Sequence, residues 1–201
     1  LNYDIQEPEW AIVDECLREY PELVKHRTEE GTTPLLEFAA EIPDLAKNYD
    51  SANNDSVAYF LSIFKKIIAV GGNIDSSNNI LFNPLLTLIY NYKNENPKIV
   101  FEFIKTLIDN KAKFEYRKEV IFLTYCFIIS FGDIPLIEYI RTHCADFNLN
   151  AVYTIKDLST NLEINRITKD ESFLEKGMCL NNVSASILFK RYDLLKYFIE
   201  H

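Results

Sequence analysis

Four stretches of this 201-residue chain close in the same way. They are "LREYPELVK" (17–25), "IAVGGNID" (68–75), "IDNKAKFE" (108–115) and "IRTHCADFN" (140–148). Each ends an apolar run, turns through a short polar stretch and sets down one apolar residue: Val24, Ile74, Phe114 or Phe147. Those markers stand 50, 40 and 33 positions apart, and "NNVSASILFKRYDLLKYFIEH" (181–201) has the same form after a longer interval. No feature constrains the fold more. Units this short cannot each enclose a core, so they must bury their apolar faces against one another.

The runs between the markers have helical spacing. Val57, Phe60, Leu61, Phe64, Ile67 and Ile68 recur on one face, and Ile99, Val100, Phe103, Ile104, Leu107 and Ile108 form a second stripe. Helix starts are written as cap-then-proline at Thr33-Pro34, Asn83-Pro84 and Asn96-Pro97. A polar side chain there can accept a free N–H, and proline gives up nothing at the first helical position. No strand-like alternation of comparable length occurs, so the chain is expected to be all-α. Phe122, Tyr125, Phe127 and Phe131 make an aromatic stripe that reads as core.

In these residues the chain resembles the ankyrin-repeat family, in a divergent form. That family repeats every ~33 residues as two antiparallel helices and a turn-shaped finger. "GTTPLLEFA" (31–39) and "FNPLLTLI" (82–89) resemble its first-helix motif, and "GGNID" and "CADFN" its helix ending. The histidine of that motif is missing: Leu36, Leu86, Cys126 and Ser184 stand in its place, so packing must replace its hydrogen bonds. The resemblance runs from about Pro8 to His201 and implies one domain, an α-solenoid of about five degenerate helix-pair repeats at 8–30, 31–78, 79–118, 119–150 and 177–201. A generic α-solenoid or helical bundle is the rival reading. Spacings beyond one repeat imply insertions at 41–55, 91–97 and, largest, 149–176, where Ile164, Ile167, Phe173 and Leu174 suggest a short added helix. The chain starts without Met and stops at "KYFIEH" in mid-pattern, as a piece of a longer protein would.

His143 adjoins Cys144, a pairing that invites a nucleophile-and-base reading. A nucleophile and its base must face each other, whereas neighbours at a helix end point apart. In the repeat register Cys144 takes the glycine position of the turn, which requires either a left-handed cysteine or a differently bent boundary. His143, Cys144 and the distant Cys126 offer no tetrahedral zinc spacing. Phosphate-binding glycine loops, HExxH and GxSxG are absent. Glu29 and Glu30 fall on a finger before Gly31, where exposed carboxylates solvate or bind. The chain is therefore expected to be non-enzymatic, without metal or cofactor.

Charge narrows the partner. Of the formal net charge of -9, all falls on residues 1–44, which hold 12 acidic and 3 basic side chains. Such an end disfavours nucleic acid, whose phosphates need a basic surface. It reads either as a solvated cap or as a means of steering a basic partner. The apolar run Val120 to Phe131 has 12 residues, short of the ~20 needed to span a bilayer. The four cysteines, Cys16, Cys126, Cys144 and Cys179, are widely spaced and read as reduced, mostly buried thiols of a cytoplasmic protein.

The resemblance also implies a binding face, because fingers and first helices line the concave side of such arrays. Its contact positions fall on Glu29, Glu30, Thr32, Ala40 and Glu41. In the next repeat they fall on Asn79, Ile80, Phe82, Tyr90 and Asn91, and then on Ser130 and Phe131. That strip suits a protein partner with a basic, partly apolar surface, with Phe82 and Tyr90 as anchors; Ile80 and Phe131 also read as inter-repeat packing. Degenerate arrays of this composition resemble those of intracellular-bacterial effectors and viral ankyrin proteins. The expected role is the targeting region of an effector or scaffold, in the host cytosol if secreted. The alternative is a regulatory or recruiting domain of an enzyme whose catalytic part lies elsewhere or in 149–176.

Overall fold

A computed structural model describes residues 7–48, 54–79, 82–92, 96–114, 121–150, 152–154 and 179–201. Among them the order is α1 (Glu7–Glu19), a 3-10 helix (Pro21–Lys25), α2 (Pro34–Asn48), α3 (Asn54–Ala69), α4 (Pro84–Asn91) and α5 (Pro97–Asp109). There follow α6 (Ile121–Phe131), α7 (Ile134–His143), β1 (Val152–Thr154), β2 (Cys179–Asn181), α8 (Asn182–Leu188) and α9 (Tyr192–Glu200). The chain is predominantly helical. The expectation of no strand needs one correction: β1 and β2 pair antiparallel, Val152 opposite Asn181 and Thr154 opposite Cys179. This ribbon closes the 149–176 interval directly onto α8. The added helix expected at 164–174 lies outside the described residues.

Short polar caps start the helices. Asn83 Oδ1 accepts the Leu86 N–H at 2.7 Å, Asp133 Oδ1 accepts that of Leu136 at 2.9 Å, and Thr33 Oγ1 accepts that of Leu36 at 3.4 Å. Asn181 and Ser184 form a reciprocal capping box on α8. Asn96 departs from expectation: it occupies the cap position of α5 but its side chain makes no capping bond. There the fixed φ of Pro97 and the Asn96 carbonyl, which accepts from Ile99 and Val100, set the first turn.

Three helix ends share one geometry. Gly71 has φ +101°, with Gly72 N–H on the Ile67 carbonyl and Gly71 N–H on that of Ile68. Lys111 (φ +70°) and Lys190 (φ +56°) repeat the pattern, with Ala112 bonded to Leu107 and Arg191 to Ser186. These are Schellman endings, each with a left-handed residue one place past the cap. Cys144 sits in register with Gly71 and Lys111 but has φ −103° and ψ 106°, an extended conformation. The glycine-like turn expected there is absent, and the chain leaves α7 through a turn in which Phe147 N–H meets the Cys144 carbonyl. That boundary is bent differently from the others.

The helices pack in two rows. In one, α2 lies on α4, α4 on α6, and α6 on α8; in the other, α3 lies on α5 and α5 on α7. One apolar core runs from Leu17 to Tyr197. Phe64 bridges the rows' near end, its ring 5.6 Å from Phe38 and 5.3 Å from Phe103. Phe114, Tyr125 and Phe147 form a second knot with centroids 4.9 to 5.2 Å apart. Of the marker residues, Val24 and Phe114 are buried, while Ile74 and Phe147 are half-buried. The insertion expected at 41–55 is partly helix: α2 has 15 residues against 8 in α4, and Pro43 is carried inside it.

Leu36, Leu86 and Cys126, which stand at one position of successive helices, are all buried. Polar ties also join neighbouring helix pairs. Thr33 and Ser76 hydroxyls meet at 2.8 Å in the core. Tyr92 OH donates to both carboxylate oxygens of Asp133 at 3.1 Å, Tyr139 OH donates to Asp109, and Tyr197 OH to Glu138. Arg191 Nη1 donates to the carbonyls of Ile129 and Ser130, at the end of α6.

Candidate binding surface

The loop at residues 27–32, where a finger is expected, is a tight turn held by Thr28 N–H on the Thr32 carbonyl and Gly31 N–H on that of Thr28. Gly31 has φ +79°, and a Cβ there would stand 3.0 Å from Asn79 Oδ1. The closeness has a cause. Asn79 N–H donates to the Glu30 carbonyl at 2.9 Å, and its side-chain amide donates to that of Glu29 at 3.2 Å. Arg27 adds a second clamp, its Nη1 donating to Gly31 O at 3.0 Å and Ser77 O at 3.1 Å. The loops at 27–32 and 77–79 are thus tied to each other.

With the carbonyls engaged, the carboxylates point to water. Glu29 and Glu30 are both exposed. The Glu30 carboxyl is held below its ordinary range by its own backbone N–H and then the Thr28 hydroxyl, so it is ionised at neutral pH. Thr32 is half-buried and its N–H donates to Thr28 Oγ1. Along α2 the exposed residues are Glu37, Ala40, Glu41, Asp44 and Lys47, with Lys47 Nζ on Asp44 Oδ1 at 2.9 Å. Sequence reading missed Glu37 and Asp44. Their spacing from Glu41, four before and three after, was the available signal, because those positions share a helix face.

The strip changes character at α4. Phe82 and Tyr90 are half-buried rather than free, with centroids 5.8 Å apart. Tyr90 also lies 5.0 Å from Phe127 and 5.4 Å from Phe131, which is itself half-buried on α6. The two expected anchors therefore belong to a four-ring cluster rooted in the core by Phe127, with part of each outer ring open to solvent. Phe131 does the packing expected of it. Asn91, half-buried, donates its amide to the Thr87 carbonyl at 2.9 Å. Ile80 lies outside the described residues. Asn83 Nδ2, Thr87 Oγ1 and Ser130 Oγ are buried without a hydrogen-bond partner, so α4 and α6 carry polar atoms along with the rings.

His143 and Cys144 point apart. The imidazole is exposed and stacked on Tyr139 with centroids 4.0 Å apart, while Cys144 is buried. Burial, then the Asp146 charge, pushes the Cys144 thiol up to about 12, and burial raises that of Cys126 further. Both therefore stay protonated and unreactive at neutral pH. Cys16 and Cys179 are exposed, which corrects the expectation of mostly buried thiols. Among the described residues no three His, Cys, Asp or Glu side chains form a metal-holding group, and no helix is long and apolar enough to cross a membrane.

No family model matches this chain, and no curated protein or solved structure matches it either.

Proposed function

We propose that this chain is a non-catalytic protein-interaction module: a divergent ankyrin-type solenoid that binds a basic, partly apolar segment of a partner across its fingers and first helices. The observation that carries the reading is the graded strip itself. Fingers fixed to each other by Asn79 and Arg27 present Glu29 and Glu30, α2 presents Glu37 and Glu41 beside the Asp44–Lys47 pair, and the strip ends on the Phe82–Tyr90–Phe131 rings. Carboxylates on a rigid scaffold attract lysine and arginine without an ordering cost, and half-open aromatic rings supply the desolvated contact. The same reading makes the chain the targeting region of an effector or scaffold working in a reducing cytosol.

The test uses a fluorescent peptide of alternating Lys/Arg and Leu/Phe, with an acidic peptide as control, and anisotropy as the readout. Exposed charge pairs contribute up to ~1 kcal/mol each. Changing Glu29, Glu30 and Glu41 together to Lys should weaken basic-peptide binding at least about tenfold, or ~1.4 kcal/mol. The loss should be larger at low salt, with the melting temperature unchanged. Equal affinity for the charge-reversed and parent chains would remove the acidic strip from the function.

A further inference from the structure

In the middle of the array, α2 and α4 lie side by side and in register from their first prolines onward. Leu35, Leu36 and Ala39 of α2 and Leu85, Leu86 and Ile89 of α4 are all buried, so both helices turn the same face to the core. The outward positions then match across the pair: Ala40 corresponds to Tyr90, and Glu41 to Asn91. Packed helix axes stand ~8–10 Å apart, a gap that one long side chain can bridge.

Tyr90 is walled on one side and open on the other. Its ring meets Phe82, Phe127 and Phe131 at 5.8, 5.0 and 5.4 Å, yet the residue stays half-buried. On the α2 side the matching residue is Ala40, itself exposed, whose methyl group is too short to cover a ring. Acceptors flank that opening. Asn91 donates its amide nitrogen to the Thr87 carbonyl, which leaves Oδ1 to accept. Glu37 and Glu41 have no ion pair among the described residues, whereas Asp44 on the same helix has Lys47. Neither α4 nor α6 carries a charged side chain, and Arg27 of the adjoining loop donates to the Gly31 and Ser77 carbonyls.

An open aromatic face beside an amide oxygen and an unpaired carboxylate is the complement of a flat cation. A guanidinium carries its N–H donors in one plane and stacks on aromatic rings, whereas an ammonium is a compact, strongly hydrated point charge. We propose, resting on the binding face inferred above, that Tyr90, Asn91 and Glu41 form a subsite for one arginine side chain of the partner. The guanidinium lies on the open Tyr90 ring above Ala40, donates to Asn91 Oδ1 and pairs with the Glu41 carboxylate. A lysine in its place keeps the carboxylate but forfeits the flat stack and the fixed second donor. The aromatic end of the strip thus selects among cations, and α2 supplies the counter-charge.

Anisotropy with the 201-residue chain and three fluorescent peptides tests this. Each peptide alternates leucine with arginine, lysine or citrulline, the last as flat as arginine but uncharged. The parent should bind the arginine peptide about fivefold or more tighter than the lysine peptide, the size of a stacked cation–aromatic contact. Citrulline should bind least. Tyr90→Leu should bring the arginine peptide down to the level of the lysine peptide. Ala40→Leu should do the same from an exposed position, by laying a branched side chain against the ring without changing the melting temperature. Lysine-peptide binding should stay nearly constant in both variants. Equal affinity of the parent for the arginine and lysine peptides overturns the subsite while leaving the broader binding face in place. An arginine preference that survives Ala40→Leu does so too, as does citrulline binding as tightly as arginine. Binding of none of the three peptides overturns the binding face itself, and the subsite with it.

Discussion

Asp133 performs two structural duties with one carboxylate, and removing it should expose how the helix pairs are tied together. Its Oδ1 caps α7 by accepting the Leu136 N–H, and both oxygens accept the hydroxyl of Tyr92, which is 4% exposed. Asp133→Ala loses the cap, at ~1 kcal/mol. It also leaves a buried phenol unpaired, at ~1–3 kcal/mol. The expected destabilisation is thus ~2–4 kcal/mol. Asp133→Asn keeps an acceptor for both donors and forfeits only the charge at the helix N-terminus, a loss of under ~1 kcal/mol. Urea unfolding followed by circular dichroism measures both. A double-mutant cycle isolates the tie itself: adding Tyr92→Phe to Asp133→Ala removes the orphaned hydroxyl. The pair should therefore cost ~1–2 kcal/mol less than the sum of the single changes. Strict additivity, or equal costs for Asn and Ala at 133, would refute the claim that Asp133 joins α4 to α7 through Tyr92.

Alkaline pH should loosen the same ties. Tyr92 and Tyr139 are pushed up, mainly by burial and then by Asp133 and Asp109, and Tyr197 is pushed up to about 12 by burial and Glu138. Raised folded-state values mean that the neutral phenols stabilise the fold fully below the unfolded value of ~10, and that this contribution is lost as pH rises through the folded values. Tyr197→Phe should flatten the decline in melting temperature between pH ~10 and ~12; a decline that is unchanged removes Tyr197 from it. Helix endings give the last prediction. Lys111→Gly should stabilise by up to ~1 kcal/mol and Gly71→Ala should destabilise by ~1–2 kcal/mol, because both sites are left-handed. Cys144→Gly at the extended, buried site should instead lose ~1 kcal/mol or more of packing. Thermal melts that rank Cys144→Gly with Lys111→Gly would contradict the backbone assignment.

Much of the helical framework was legible because its signals are local. Asn83-Pro84 and Thr33-Pro34 predicted helix starts through a side-chain acceptor and a fixed φ, both properties of adjacent residues. Gly71 announced its left-handed turn for the same reason. Lys111 and Lys190 did not, since lysine takes that conformation only when the surrounding helix end imposes it. Cys144 misled in the opposite direction: register suggested a turn residue, but burial of its side chain and the stacking of Phe147 on Tyr125 at 5.2 Å hold the backbone extended. The length of α2 was also hidden. Pro43 in "EIPDLAK" reads as a break, yet Ile42 and Ala46 on either side are buried, and that packing carries the helix through it.

The candidate site was legible in its charges and not in its geometry, for a physical reason. Exposed carboxylates such as Glu29 and Glu41 need only a solvent-facing position, which helical phase and a glycine turn supply. Asn79 and Tyr90 depend on partners 50 and 37 residues away, Glu29 and Phe127, which no local pattern encodes. Both residues turn out to serve the scaffold first. Asn79 spends its amide on the neighbouring loop, and Tyr90 spends ring surface on Phe82, Phe127 and Phe131. What each leaves for a partner is the remainder: a fixed backbone edge in one case, half an aromatic surface in the other. In the proposed binding mode, recognition depends on how firmly the inner contacts hold. Asn79→Ala should therefore weaken binding through loosened fingers even though its own amide never reaches the partner.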